Sequence, residues 1–71
     1  MSKPPVVSGA ETVRALSRGG FAQVSQRGSH VKMRKGVLTV IVPMHRELAT
    51  GTLLSVLEQA GLTVEEFREL L

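Results

Sequence analysis

The sequence has 71 residues, a formal net charge of +3 and no cysteine. This length predicts one domain over residues 1–71, with residues 1–7 as a flexible N-terminal tail, because so small a core cannot be divided into two folding units. The missing cysteines exclude disulfide bonds and thiolate metal sites, and no apolar run approaches the roughly 20 residues of a membrane span, so we expect a soluble, cytoplasmic protein.

A first helix is predicted over residues 9–18. Ser8 and Glu11 have the spacing of a capping box, in which the hydroxyl and the carboxylate each accept a backbone amide at the start of a helix. Apolar residues follow at helical spacing, at Ala10, Val13 and Leu16. The glycine pair at 19 and 20 then predicts the end of this helix.

Three strands are predicted next, in the segments "FAQVSQ", "HVKMR" and "VLTVIV", separated by "RGS" and "KG" turns. Such short turns join neighbouring antiparallel strands, so the pattern predicts a three-stranded meander. In the second strand, the alternation directs Val31 and Met33 to the core and places three polar side chains on the other face: His30, Lys32 and Arg34. In the third strand we expect the core to contain Leu38, Val40 and Val42. Two residues of this strand are expected to be partly exposed, Val37 and Ile41.

A second amphipathic helix follows a loop that contains Pro43, and Gly61 predicts its end. Its apolar stripe consists of Leu53, Leu54, Val56, Leu57 and Ala60. Thr63 and Glu66 repeat the capping-box spacing and predict a last short helix. The fold class is therefore α+β, with the order αβββα, a three-stranded antiparallel sheet, both helices on one sheet face, and a short C-terminal helix.

Charge is distributed unevenly along the chain. Residues 12–46 contain seven basic residues and no acidic one, whereas residues 47–71 contain five glutamates and Arg68 as the single basic residue. A basic surface on a small domain favours a polyanion such as nucleic acid, although solvated charge on an ordinary basic domain gives the same composition.

Four segments in combination resemble the toxin of HicA/HicB toxin–antitoxin systems, the YcfA/HicA-like messenger-RNA interferase family. They are "GGF", "GSHVKMR", "VIVPMH" and "GTLLSVLEQAGLT", and the resemblance runs from about Ser8 to Thr63. The loop "PMHRELATGTL" is a residue or two shorter than is usual in the family, and Ala49 and Thr50 stand where a more basic residue is often found. Both differences affect predicted RNA contacts near the second helix.

The resemblance implies a fold like a double-stranded-RNA-binding domain and the activity of an endoribonuclease toxin that arrests translation by cleaving mRNA. It also implies that the histidine of the Gly-Ser-His sequence, His30, is catalytic. A HicB-like antitoxin is implied as the protein partner, which binds the toxin and masks it.

The chemistry of His30 agrees with this implication. Metal-independent RNA cleavage needs a base for the ribose 2′-OH and an acid for the leaving oxygen, and imidazole, with an unperturbed pKa of about 6.5, can serve as either near neutral pH. Gly28 would allow close approach of the RNA backbone, and the Ser29 hydroxyl would orient His30 or bind a phosphate oxygen. His45 is an auxiliary candidate, although a histidine in a loop after a proline is more often solvated. Taken alone, Gly-Ser-His is also typical of a turn followed by a polar strand end.

Basic residues around His30 are predicted to position RNA through its phosphates. They are Lys32, Arg34 and Lys35, with Arg27 and Arg46 as weaker candidates. The two histidines and the lack of cysteine and aspartate provide too few ligands for a metal site, so no metal and no cofactor are expected. Phe21 and Phe67 are the only aromatic residues and are expected in the core, which disfavours recognition by base stacking.

Two alternatives remain from the sequence. The first is a non-catalytic RNA-binding module that uses the same basic sheet face. The second is an interaction subunit whose open sheet face and acidic C-terminal segment bind only a protein, in which case no salt-dependent affinity for RNA would be found.

Overall fold

The computed structural model describes residues 3–71, so Met1 and Ser2 of the predicted tail lie outside the described residues. The elements are α1 (Gly9–Arg18), β1 (Ala22–Arg27), β2 (His30–Lys35), β3 (Leu38–Pro43), α2 (Thr50–Ala60) and α3 (Val64–Leu70). The strands form one antiparallel sheet in the order β1-β2-β3. The predicted α+β fold with αβββα order and a short C-terminal helix is confirmed. Each of the helices in residues 3–71 is too short or too polar to cross a bilayer.

Capping boxes begin both α1 and α3. The Ser8 hydroxyl accepts the Glu11 amide at 3.0 Å, and the Glu11 carboxylate accepts the Ser8 amide at 2.8 Å. Thr63 and Glu66 make the same reciprocal pair at the start of α3. These bonds satisfy backbone amides that have no partner within a helix, and they fix where each helix begins.

The buried face of α1 differs from the predicted stripe. Ala10 is exposed, whereas Thr12 is fully buried. A buried hydroxyl needs a hydrogen-bond partner, and the Thr12 hydroxyl donates to the Ser8 carbonyl at 2.8 Å. Because this polar group is satisfied within its own helix, the Thr12 methyl group can face the core in place of Ala10.

The core has two adjoining parts. One lies between the sheet and the helices and contains Leu16, Phe21, Val31, Met33, Val40, Val42, Val56 and Ala60. The other lies between the helices and contains Val7, Ala15, Leu48, Leu53, Leu57 and Phe67. Val7, which the sequence placed in the tail, is 5% exposed, and its carbonyl accepts the Leu48 amide at 2.8 Å.

Both hairpin turns place glycine at the first of two turn positions. Gly28 and Gly36 have φ of +58°, a backbone conformation that side chains with a Cβ rarely adopt. Val37 is the second residue of its turn and is 98% exposed, so the expected start of the third strand at Val37 was wrong by one residue. Leu38, which was expected to face the core, lies at the first position of β3 and is 37% exposed.

Candidate functional site

The middle strand β2 separates apolar from basic side chains. Val31 and Met33 are buried beneath the helices, and the intervening side chains of His30, Lys32 and Arg34 are exposed on the opposite face. Successive side chains of a strand point to opposite faces, so these three residues form one row along the open face of the sheet. The sequence predicted this row.

Strand pairing adds neighbours on each side of the row. Residues that lie directly opposite one another on antiparallel strands share a sheet face. The three sets across β1, β2 and β3 are Arg27–His30–Pro43, Ser25–Lys32–Ile41 and Ala22–Arg34–Thr39. The sheet therefore places the Arg27 guanidinium group on the same face as the His30 imidazole.

A shallow groove of about 500 Å³ lies at this end of the open face. It is lined by Ser25, Gln26, Arg27, His30, Lys32 and Ile41. Three of these residues, Arg27, His30 and Lys32, were predicted as site residues. Arg34 lies farther along the same face, outside the groove lining.

The turn between β1 and β2 brings Gly28 and Ser29 beside His30. A Cβ added at Gly28 would meet no atom within 4 Å, so in the free protein the positive φ, and not close packing, favours glycine here. The Ser29 carbonyl accepts the Met44 amide at 2.6 Å. This bond joins the start of β2 to the end of β3 and helps to hold the backbone beside His30 in place.

His45 and Arg46 lie in the loop after β3, and neither lines the groove. The His45 carbonyl accepts the Gly9 amide at 2.8 Å, which ties this loop to the start of α1. The structure therefore brings Arg27, His30 and Lys32 together but does not bring His45 or Arg46 into the same groove.

Lys35 is placed differently from the other predicted RNA contacts. Its ammonium group donates to the Gly19 carbonyl at 2.7 Å and lies 5.8 Å from the centre of the Phe21 ring. Strand alternation places Lys35 on the helix side of the sheet, away from Lys32. The side chains of Lys32 and Arg34 therefore lie on the open face, and that of Lys35 does not.

Sequence reasoning missed Ser25, Gln26 and Ile41 as groove residues. A bulge leaves Val24 without a partner, and this shift in register places Ser25 opposite Lys32. The Gln26 side-chain amide donates to the Gly28 carbonyl at 3.1 Å, which holds that side chain beside the turn. The exposed position of Ile41 was predicted, but its place in the groove follows from pairing with Lys32, which requires the register to be known.

Metal-binding groups do not cluster in the described part of the chain. Within residues 3–71, no three side chains of His, Cys, Asp or Glu come close enough together to hold a metal ion.

Comparison with known proteins identifies the family. The sequence model of the family described as the HicA toxin of bacterial toxin–antitoxin systems matches residues 9–62. This range is most of the chain and includes the three strands, the groove and α2. The chain belongs to the HicA toxin family. A search of curated proteins gave no significant match.

HicA membership has two direct consequences. The family consists of toxins of toxin–antitoxin systems, so a protein partner that acts as antitoxin is implied. RNase-like activity is known in general for HicA toxins. The open-face groove is lined by one histidine and two basic residues, His30, Arg27 and Lys32.

Proposed function

We propose that this HicA-family chain is a metal-independent endoribonuclease that cleaves mRNA, with His30 as general acid or base. The observation that carries the proposal is that His30 lines one open groove together with two basic residues, Arg27 and Lys32, on the same sheet face. An exposed groove admits a polymeric substrate, and the two cations attract its phosphates to the imidazole.

The proposed reaction uses the RNA's own 2′-hydroxyl as the nucleophile. A base removes the 2′-OH proton, the 2′ oxygen forms a bond to phosphorus, and the bond from phosphorus to the 5′ oxygen breaks. An acid returns a proton to that 5′ oxygen, so the products are a 2′,3′-cyclic phosphate and a 5′-hydroxyl end. Neutral imidazole serves as the base and imidazolium as the acid, so His30 can perform either transfer.

The cations have a separate role in this proposal. Extra negative charge develops on the phosphate oxygens as the 2′ oxygen attacks, and positive groups already placed around it stabilise that charge. Arg27 and Lys32 flank His30 and are proposed for this role. Arg34 extends the same row and is proposed to position the RNA backbone, with no reading of base sequence. The Ser29 hydroxyl, in the turn next to His30, is proposed to contact a phosphate oxygen.

This activity explains how the protein would act as a toxin. Cleavage of mRNA in the cytoplasm arrests translation until the groove is blocked. A HicB-like antitoxin would block it by covering the basic face, with acidic or apolar groups against Arg27 and Lys32.

The second candidate function is a non-catalytic RNA-binding module. It is favoured by the observation that the groove contains one histidine, because His45 lies outside the groove and a second imidazole would be needed to divide acid and base roles between two residues. The same cations would bind RNA without cleaving it.

A comparison of three proteins separates the two functions. Wild type, His30→Ala and His45→Ala are each incubated with a 5′-labelled RNA in EDTA, and RNA binding is measured in parallel. The proposal predicts that His30→Ala loses cleavage by at least 100-fold and binds RNA within about threefold of wild type, because general acid–base catalysis contributes about 10²–10⁴-fold. His45→Ala should cleave like wild type. Equal cleavage by wild type and His30→Ala would exclude His30 catalysis, and binding without cleavage by folded wild type would favour the binding module.

A further inference from the structure

The two edges of the sheet are protected to different degrees. At the β3 edge, the Ile41 amide donates to the Gln59 side-chain oxygen at 3.1 Å. The Gln59 side-chain amide in turn donates to the Ser55 hydroxyl at 3.4 Å. Pro43, at the end of the same strand, has no amide hydrogen to offer. Of the three outward-facing positions of β3, Thr39, Ile41 and Pro43, two therefore offer no free amide to an added strand.

Within residues 3–71, nothing covers the β1 edge in this way. All six residues of β1 are exposed on both faces, and the sheet order ends at this strand. Arg27 and His30 flank a two-residue turn, so the backbone groups of Arg27 form hydrogen bonds with those of His30. Along an antiparallel strand, the backbone groups of successive residues point alternately towards and away from the neighbouring strand. The amide and carbonyl groups of Gln26 therefore point outward, away from β2. Beyond the bulge at Val24, the amide and carbonyl groups of Gln23 also point outward for the same reason.

Charge around this edge favours an acidic partner. A strand added outside β1 would lie next to Ser25 and Arg27, with His30 and Lys32 in the following row of the open face. Residues 12–46 contain no acidic residue, so none of β1, β2 and β3 supplies a negative charge to this face. Pairing of two copies of this chain edge to edge would join their two basic open faces into one sheet, and repulsion between like charges disfavours that arrangement.

We propose that the outer edge of β1 is the docking strand for an extended acidic segment of the antitoxin. The segment would pair with Ser25–Arg27, the regular part of β1 beyond the bulge, and its acidic side chains would contact Arg27 and reach towards Lys32. Strand addition next to the groove would anchor the antitoxin beside His30, so the inference rests on the proposed function for its biological meaning. Binding itself requires no catalysis, and the test below therefore involves no RNA.

The test uses one position and two substitutions. Gln26→Pro removes the outward amide hydrogen at a site where the amide is not needed for pairing with β2, and Gln26→Ala keeps the amide. Both variants lose the side-chain bond to the Gly28 carbonyl. They differ in the outward amide hydrogen and in the fixed φ of proline, so folding of Gln26→Pro is checked before binding is compared. The probe is an acetylated heptapeptide in which glutamate alternates with valine, and the control is the same peptide with lysine in place of glutamate.

Peptide binding is followed by the NMR shifts of assigned backbone amides and by their hydrogen exchange. We expect the acidic peptide to shift β1 amides and to slow exchange at Gln23 and Gln26 in wild type. Gln26→Ala should bind within about threefold of wild type, Gln26→Pro at least tenfold more weakly, and the lysine peptide at least tenfold more weakly to wild type. If Gln26→Pro does not fold, the exchange of the two amides in wild type decides the question.

Three results would overturn the inference. Equal binding by folded Gln26→Pro and Gln26→Ala would show that the backbone edge is not used. Unchanged β1 amides at millimolar acidic peptide would show that this edge does not accept a strand. Slowed exchange at Gln23 and Gln26 that depends on protein concentration, without peptide, would assign the edge to a second copy. None of these results bears on RNA cleavage, which is measured separately.

Discussion

The Lys35 ammonium group donates to the carbonyl of Gly19 at 2.7 Å, directly after the last turn of α1. A cation at this point satisfies a carbonyl that the helix leaves unpaired and interacts favourably with the negative end of the helix dipole. The same ammonium lies over the Phe21 ring. Lys35 therefore links the end of β2 to the end of α1, whereas Lys32, three residues earlier, points to the open face.

Lys35→Ala and Lys32→Ala form a matched pair of charge removals. Lys35→Ala should lower the free energy of unfolding by about 1 kcal/mol, the usual net value of one intramolecular hydrogen bond, and should leave the salt dependence of RNA binding unchanged. Lys32→Ala should leave stability within about 0.5 kcal/mol and reduce the slope of log affinity against log salt by about 1. Urea unfolding and RNA titrations at several salt concentrations measure both effects. A reduced salt slope for Lys35→Ala would mean that Lys35 contacts RNA after all.

Gly9 is predicted to be intolerant of a side chain. An added Cβ would lie 2.7 Å from the Met44 Cα and would also collide with the Pro43 carbonyl oxygen, because the start of α1 packs against this backbone. Gly9→Ala should therefore destabilise the protein by about 1–3 kcal/mol through overpacking. It should also weaken the bond from the Gly9 amide to the His45 carbonyl.

Gly51 provides the control for that substitution. It is also a helical glycine, in the first turn of α2, and a Cβ there would meet nothing within 4 Å. Gly51→Ala should raise stability by up to about 1 kcal/mol, since alanine has the higher helix propensity. Urea unfolding of both variants measures the two effects, and similar values for Gly9→Ala and Gly51→Ala would contradict the packing described at Gly9.

The capping box of α1 predicts a dependence of stability on pH. The pKa of Glu11 is lowered because its carboxylate accepts the Ser8 amide and the Ser8 hydroxyl is close by, with a smaller contribution from Arg14. A pKa that is lower in the folded than in the unfolded protein contributes stability above the unfolded pKa, and that contribution is lost as pH falls through the folded pKa. Wild type should therefore be more stable than Glu11→Ala at neutral pH, and the difference should narrow in acid.

Urea unfolding between pH 7 and pH 3 measures this difference, with Glu58→Ala as the control. Glu58 is exposed on α2, and its backbone carbonyl, not its carboxylate, accepts the Gly61 amide at the helix end. A difference between wild type and Glu11→Ala that stays constant across this pH range would contradict an ionised cap.

The sequence predicted the elements because their boundary signals are local. The capping boxes at Ser8 and Thr63 and the glycines of the hairpin turns each depend on a few consecutive residues, and all four act where predicted. The alternation in β2 is equally local, and it was sufficient to place His30, Lys32 and Arg34 on one face.

The features that sequence reasoning missed depend on contacts between distant segments. To predict that Thr12 is buried, one must know how α1 packs against the sheet. To predict the bulge at Val24, one must know the register of β1 on β2. The sequence predicts Lys35 as an RNA contact because it follows Arg34, but side chains one residue apart on a strand point to opposite faces of the sheet. The bond to Gly19 that then holds it spans 16 residues of sequence.

The most direct test of the central claim uses the chemistry of the cleaved bond. The position cleaved by wild type in a 5′-labelled RNA is first mapped in EDTA, and the same RNA is then made with one 2′-deoxy nucleotide immediately before the cleaved phosphate. If His30 acts on the 2′-OH, the all-ribose RNA gives fragments ending in 2′,3′-cyclic phosphate, and the single 2′-deoxy substitution abolishes cleavage at that position in wild type. Cleavage of the 2′-deoxy RNA at an unchanged rate, or fragments that never carry a cyclic phosphate, would contradict the account.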